Sequence, residues 1–451
     1  MHSDPLARLR SVAAHRARGQ YKVTFAAAGI RSIIEVAASR YLQYPLATCH
    51  RPNRKNIEAM TDLDSIKIQR SYKFRCYPGS VQRQQLAVEF GHARWVWNQC
   101  LAWRSNLYQD VGEKVTAIDF SRELTFLKQL GTYDWLKEAS ACVLQQKLRD
   151  QDTAFRNFFA GRAKYPKFKK KLHGQSIRYQ LDQRIVANLY RAGEFLKLPK
   201  LGELKLKWSR KPLGIPKMVT ITKDCTGHYF ASFTCEESIQ PLPQKPSGIG
   251  VDLGLKDVVV TSSGWKSGNP RYLLTYRRQL TKTQRRLSRR VKGSQRWHCQ
   301  RMRVANAHAR VRNTRQDWLH KLSTTLIGQA GFIAMEDLNV KGMMANRRLA
   351  KSISDVGMDE LKRQLEYKAK WTGCEWVQVD RWAPTSKTCS TCGTVQETIP
   401  LSVREWTCQD CQTVHDRDIN AAKNILALAT LGRRESDVRG GVHKLEADYA
   451  C

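Results

Sequence analysis

Four cysteines carry the most specific chemistry in this chain. Cys389 and Cys392 form one C-x2-C pair, Cys408 and Cys411 form a second, and fifteen residues separate the pairs. Two such knuckles let four thiolates converge tetrahedrally on Zn²⁺, at the spacing of a zinc ribbon. Gly393 directly follows the first pair, where a knuckle needs tight backbone. A redox dithiol needs only one pair. Four thiolates close the coordination shell, so the expected zinc is structural and has no open position for catalysis. Asp410 and His415 lie nearby and are not needed as ligands.

Acids supply the second chemistry. Three separated places set them beside apolar segments: Asp252 in GIGVDLG, Glu336 in FIAMED, and the pair Asp416/Asp418 in HDRDINAAKNIL. An acid at the edge of a buried strand is costly unless it is paired or holds a cation. Brought together, three carboxylates suit Mg²⁺. Two such ions can activate a water and stabilise the leaving oxygen of a phosphodiester. The competing reading is three unrelated acids acting as caps or salt bridges. Within the pair, residues two apart on a helix point about 200° apart and share no face. Asp418 falls on the side of Ala421, Ala422 and Ile425, where small alanines would let the helix approach a sheet. Asp416 stands where an N-cap belongs. Asp418 is therefore expected to hold metal and Asp416 to cap.

The elements that must position these groups follow from periodicity. Residues 80–104 read as a helix with Leu86, Phe90, Ala93, Trp97 and Leu101 on one face, and more helix follows to about 160. KYPKFKKK (164–171) interleaves Lys167, Lys169 and Lys170 with Tyr165 and Phe168, which reads either as a solvated loop or as phosphate contact with base stacking. From 177 to 236 the period is two, with two strands around a Thr226-Gly227 turn, suggesting a small β-barrel with a basic face. Prolines mark 241–248 as a linker, and 248–264 reads as two buried strands. A long helical stretch, 271–330, has a thin apolar stripe: Leu280, Leu287 and Val291, then Val304, Val311 and Trp318. A strand (331–340), a helix (359–373) and a strand (374–380) lead to the cysteines, and a closing helix runs from 416 to about 430. Residues 1–59 lack a periodic core pattern, and Met60 precedes the first strand-like alternation as a candidate start.

Charge names the partner class. The 451 residues carry 77 Lys+Arg against 40 Asp+Glu, a net +37. Folding must overcome that self-repulsion, so the excess points to a long polyanion. The helical stretch offers Arg277, Arg278, Arg285, Arg286, Arg289, Arg290, Arg310 and Arg312 with few acids to pair them, which favours nucleic-acid backbone over a solvated surface. No stretch approaches the ~20 apolar residues that span a bilayer. The nine cysteines outside the cluster are scattered, as small hydrophobes are in a reducing compartment, and the chain reads as intracellular.

GVDLGLKD, IAMEDLNV, SKTCSTCG…CQDC and HDRDINAAKNIL, in this order, resemble the TnpB (OrfB) family of transposon-encoded RNA-guided DNA endonucleases, relatives of the compact type V CRISPR effectors. YKFRCYP, ARWVWN and KGMMANRRLAKSISDVGMDELKRQLEYKA extend the match over about 70–430. The resemblance implies an α/β multi-domain protein with a RuvC-type, RNase H-like nuclease core, an inserted zinc ribbon, a wedge-like β-barrel and a helical recognition lobe. Its catalytic acids would be Asp252, Glu336 and Asp418. Strand alternation turns Asp337 away from the face of Glu336, and Asp257 reads as a turn residue. The expected division is 1–59 poorly ordered, 60–84 and 177–240 barrel, 85–176 recognition lobe, 247–384 and 412–431 nuclease core, 385–411 ribbon, and 432–451 tail. Expected cofactors are catalytic Mg²⁺, two ions, and structural Zn²⁺. Expected partners are a guide RNA from the transposon end and target double-stranded DNA, with no membrane and one protein chain per guide RNA. The place would be cytoplasm or nucleoid if the source is prokaryotic. Guide pairing would give sequence specificity beside a short adjacent motif read by protein. Two other readings share these residues: a non-cleaving RNA-guided repressor, and a guide-independent nuclease or transposase.

Overall fold

The alternation in IKIQRSYKFRC folds as strand β1 (Ile66–Cys76), with Tyr72, Phe74 and Cys76 buried and Lys73 exposed between them. The computed structural model describes residues 66–438, interrupted at 113, 130, 132, 172–173, 184–185, 187–188, 190–194, 240, 242–244, 246 and 401. The expected extension 1–59, the candidate start Met60 and residues 439–451 lie outside the described residues. All described residues belong to one unit, Leu63–Cys451.

Strands β2 (Gln175–Gln180), β3 (Phe195–Leu198), β4 (Gly202–Lys207), β5 (Ile215–Lys223) and β6 (Tyr229–Ile239) join β1 in a six-stranded antiparallel sheet, order β2-β5-β6-β1-β4-β3. Gly227, at φ +79°, makes the turn between β5 and β6. Helix α1 (Ser80–Val111) lays Leu86, Phe90 and Ala93 on the sheet core of Phe74, Tyr179 and Phe233. Further along, its Val96 and Cys100 pack against α2 (Ala117–Gln129) and α3 (Ala141–Phe159). Trp97 and Leu101 complete the expected stripe and are buried.

The second sheet is mixed. Its strands are β7 (Gly248–Leu253), β8 (Val259–Thr261), β9 (Phe332–Glu336) and β10 (Glu375–Val379), in order β10-β9-β7-β8. β7 and β10 run parallel to β9, and β8 antiparallel to β7. Between β8 and β9 stand α4 (Tyr272–Ser288) and α5 (Gln295–Gln329), a hairpin closed by Leu280, Ala307 and Val311. Leu287, Val304 and Trp318 are half-buried. Val291 departs from the expected stripe: α4 stops at Ser288, and Val291 lies 78% exposed in the turn. Short helices α6 (Val340–Met343) and α7 (Ala350–Val356) lead to α8 (Met358–Thr372). A two-stranded ribbon, β11 (Glu405–Thr407) and β12 (Val414–Asp416), precedes the last described helix, α9 (Arg417–Val438). This helix passes the expected end near 430, so residues 432–438 are helical rather than a loose tail.

Alternation sorts this sheet into two faces. Val251, Ile333 and Met335 pack with Leu319 and Leu326 of α5 and Leu361 and Leu365 of α8. Phe332, Ala334 and Val379 pack on the other side with Ile425 and Ala429 of α9.

Candidate active site and metal centre

The face that carries α9 also carries the acids. Glu336 follows Phe332 and Ala334 at steps of two, so it shares their side of β9. Gly250 faces α9, because a Cβ there would lie 2.0 Å from the Ala422 carbonyl oxygen. Asp252, two residues on, projects to the same side. β7 and β9 are in register through Val251–Met335, and the next residue on each strand is Asp252 and Glu336. Asp418 sits one helical turn before Ala422, above these strand ends.

Asp252 feels the other two carboxylates. Burial, then the charges of Asp418 and Glu336, push the Asp252 carboxyl up to about 7. Burial also raises Glu336. Such mutual repulsion among oxygen donors is what a hard divalent cation relieves. The Arg404 guanidinium lies 3.3 Å from Asp418, and Lys266 and Arg404 flank the cluster.

Asp416 does what an N-cap does. Its Oδ1 accepts the backbone N–H groups of Asp418 and Ile419, each at 3.1 Å, and Lys266 donates to Oδ2 at 2.6 Å. Burial works against its charge, but these donors hold its carboxyl below the usual range. Asp337 is turned away: Lys362 and Arg381 bind it at 2.7 and 2.6 Å and depress it. Asp257 lies in the bend between β7 and β8.

The four cysteines converge. Among the described residues they form a ligand group with all sulfurs within 4.8 Å of one another. Cys389–Cys411 and Cys392–Cys408 are each 3.6 Å apart. Tetrahedral Zn–S bonds of about 2.3 Å require sulfurs roughly 3.8 Å apart, so the set fits structural zinc. The two knuckles repeat one design. Gly393 N–H donates to the Cys389 carbonyl and Gln412 N–H to that of Cys408, both residues at positive φ. Side-chain and backbone hydrogen bonds from Thr394 pull the Cys392 thiol down to about 6, and Thr413 lowers Cys411 likewise. These donors favour the thiolate, the form that binds metal.

Several positioning roles escaped the sequence reading. His415 Nε2 lies 3.0 Å from Cys389 Sγ and its ring packs on Trp406. Asn420 and Asn424, buried on α9, donate to the carbonyls of Thr388 and Thr385, and Ser390 N–H donates to Asn420. They clamp the first knuckle onto the helix that carries Asp418. Asparagines at i and i+4, on the face next to the alanines, were the available signal.

The basic candidates separate by environment. Arg277, Arg278, Arg285, Arg286, Arg289, Arg290, Arg310 and Arg312 are exposed, and among the described residues no ion pair reaches them. Arg310 and Arg312 line a cavity of about 770 Å³ together with Lys73 and Arg75 of β1. Lys167 and Lys170 are exposed, whereas the Lys169 ammonium lies 3.6 Å from the Trp97 ring centroid. Burial, then Lys147, lowers it to about 8.

Three family models match this chain: "Cas12f1-like, TNB domain" over 359–425, "Probable transposase" (OrfB_IS605) over 232–347, and "Helix-turn-helix domain" (HTH_OrfB_IS605) over 68–114. The last span folds here as β1 and the long helix α1. A Streptomyces pristinaespiralis protein, "Putative RNA-guided DNA endonuclease", is 42% identical over 364 residues, covering 80% of this chain and 89% of that relative. "Putative RNA-guided DNA endonuclease InsQ" of Escherichia coli (strain K12) is 32% identical over 379 residues, covering 79% and 91%. The chain belongs to the TnpB (OrfB) family. A chain of the cryo-EM Cas12f1-sgRNA-target DNA complex aligns with TM-score 0.48 and 14% identity over 80% of this chain and 99% of that one. Among the described residues, no helix is long and apolar enough to cross a membrane.

Proposed function

We propose that this protein is an RNA-guided DNA endonuclease that cuts target DNA beside a short adjacent motif, using Asp252, Glu336 and Asp418 in a RuvC-type core. The observation that carries the reading is the shared face: two strand-end acids in register and a third on the helix packed over them. The three carboxylates would hold Mg²⁺. When bound, two such ions supply an activated water and stabilise the leaving oxygen. The chain's own contribution is placement. Asp416 fixes where α9 starts, the zinc ribbon fixes where Asp416 stands, and Asn420 and Asn424 tie ribbon to helix. Exposed arginines on α4 and α5 would take backbone phosphates of guide and heteroduplex, while base pairing reads sequence. The six-stranded sheet and α1–α3 would serve as wedge and recognition lobe.

The test is to express the protein with its flanking element, sequence the RNA that copurifies, and offer DNA matching its variable segment. Wild type with Mg²⁺ is expected to cut that DNA, and Asp252→Ala and Asp418→Ala to bind it without cutting. Full cleavage by either variant would sink the assignment.

A further inference from the structure

The end of α3 and the segment after it leave aromatic rings in water. Phe159 is 75% exposed, Phe168 54% and Tyr165 45%. Phe155 and Phe158 back two of them. The Phe159 ring lies 5.2 Å from Phe158 and 6.3 Å from Phe155, and the Tyr165 ring 5.3 and 5.6 Å from the same pair. Phe159 and Tyr165 thus form a patch with Phe155 and Phe158, and Phe168 stands exposed three residues beyond Tyr165.

The segment after α3, which presents Tyr165 and Phe168, is pinned without regular secondary structure. Trp97 Nε1–H donates to the Lys167 carbonyl at 3.0 Å. Asn98 exchanges two hydrogen bonds with the Lys169 backbone, at 2.8 and 3.1 Å. The Ser105 and Tyr165 hydroxyls share a hydrogen bond at 2.9 Å. A platform held this way loses little further freedom when a ligand lands on it.

Charge around the rings has one sign. Arg156, Arg162, Lys164, Lys167, Lys170 and Lys171 are exposed. The nearest acids in sequence are engaged inward: Asp152 with Arg104, and Asp150 with Lys147 and Arg178.

We infer that this patch is a stacking platform for unpaired bases of the guide RNA, with the surrounding lysines and arginines taking the flanking phosphates. Along its length a duplex keeps its ring faces stacked inside and offers them only at its ends. RNA is favoured over single-stranded DNA because an aromatic patch bare for the protein's lifetime invites association, so its occupant is the strand carried throughout. The identity of that strand rests on the proposed function.

The test uses the full-length protein, the labelled copurified RNA, and a deoxyoligonucleotide of the same sequence, with affinities measured over a salt series. Phe159→Ala with Phe168→Ala is expected to lose about tenfold or more in RNA affinity at unchanged salt slope. Phe159→Trp with Phe168→Trp is expected to keep the affinity. Lys164→Ala with Lys170→Ala is expected to flatten the salt slope instead. Ultraviolet crosslinking of the wild-type complex is expected to join an RNA base to Phe159, Tyr165 or Phe168. Wild-type RNA affinity in the double alanine variant, or an equal loss for the deoxyoligonucleotide, overturns the inference alone. A wild-type protein that retains no RNA overturns the proposed function and this inference together.

Discussion

Asp416 and Asp418 are two residues apart and do different work. The cap accepts two helix N–H groups and an ammonium, and the other acid joins Asp252 and Glu336 across a sheet face. Asp418→Ala is expected to abolish cleavage. Asp416→Ala should cost about 1 kcal/mol of stability, the usual worth of an N-cap, and lower cleavage only in part. Parallel cleavage and melting assays would separate them, and equal loss of cleavage would contradict the division. Asp252 adds a pH signature. Its folded carboxyl is pushed up to about 7, against an ordinary 3.8, so without magnesium the folded state is favoured below about pH 4 and weakens as pH rises from there to about 7. Asp252→Asn is therefore expected to melt a few degrees above wild type at pH 8, to approach it only below about pH 4, and not to cut. The capping role of Asp416 was legible because it stands where the helix must begin. Lys266 and Arg404 were not, since each reaches its aspartate only through the tertiary fold.

At the scale of elements, apolar alternation and helical stripes foretold most segments. Leu86, Phe90, Ala93, Trp97 and Leu101 all turn inward, as does Asp418's companion face of Ala421, Ala422 and Ile425. Errors fell where period gives no information. Val291 sits in a turn and continues the stripe by a four-residue step only by coincidence, and α9 outruns its apolar stripe. Gly250 explains the close helix. Any Cβ there must displace the Ala422 carbonyl, so Gly250→Ala should push α9 from β7 and cost about 1–3 kcal/mol. Cleavage should fall with RNA retention intact, as measured by copurified RNA and single-turnover cutting. Gln412 holds the place of Gly393 in the second knuckle, at φ +58°. Gln412→Gly should leave zinc content unchanged, while Gln412→Val should lower it, because β-branched residues resist that backbone region.

For the whole molecule, a charge of +37 announced a polyanion but not which face holds it. Only the fold brings Lys73 and Arg75 of one sheet beside Arg310 and Arg312 of α5. The ribbon's reach is likewise a tertiary fact. Stripping zinc with a thiol-selective chelator should leave most helical circular dichroism and RNA binding in place, yet end cleavage, because the ribbon sets the start of α9. Cutting that survives complete zinc loss, by metal analysis, would show that the ribbon does not position Asp418.

The placement of α9 also has a consequence for how the protein is made. Both strand acids leave the ribosome long before the ribbon and the final helix. Until that helix arrives, Phe332, Ala334 and Val379 have no cover, and the third carboxylate does not yet exist. On the proposed assignment, a chain truncated before Arg417 lacks the third acid and leaves that sheet face bare, so it is expected not to cut. On that assignment, translation order itself works as the safety catch: α9, made after both strands, covers that face and brings the third acid.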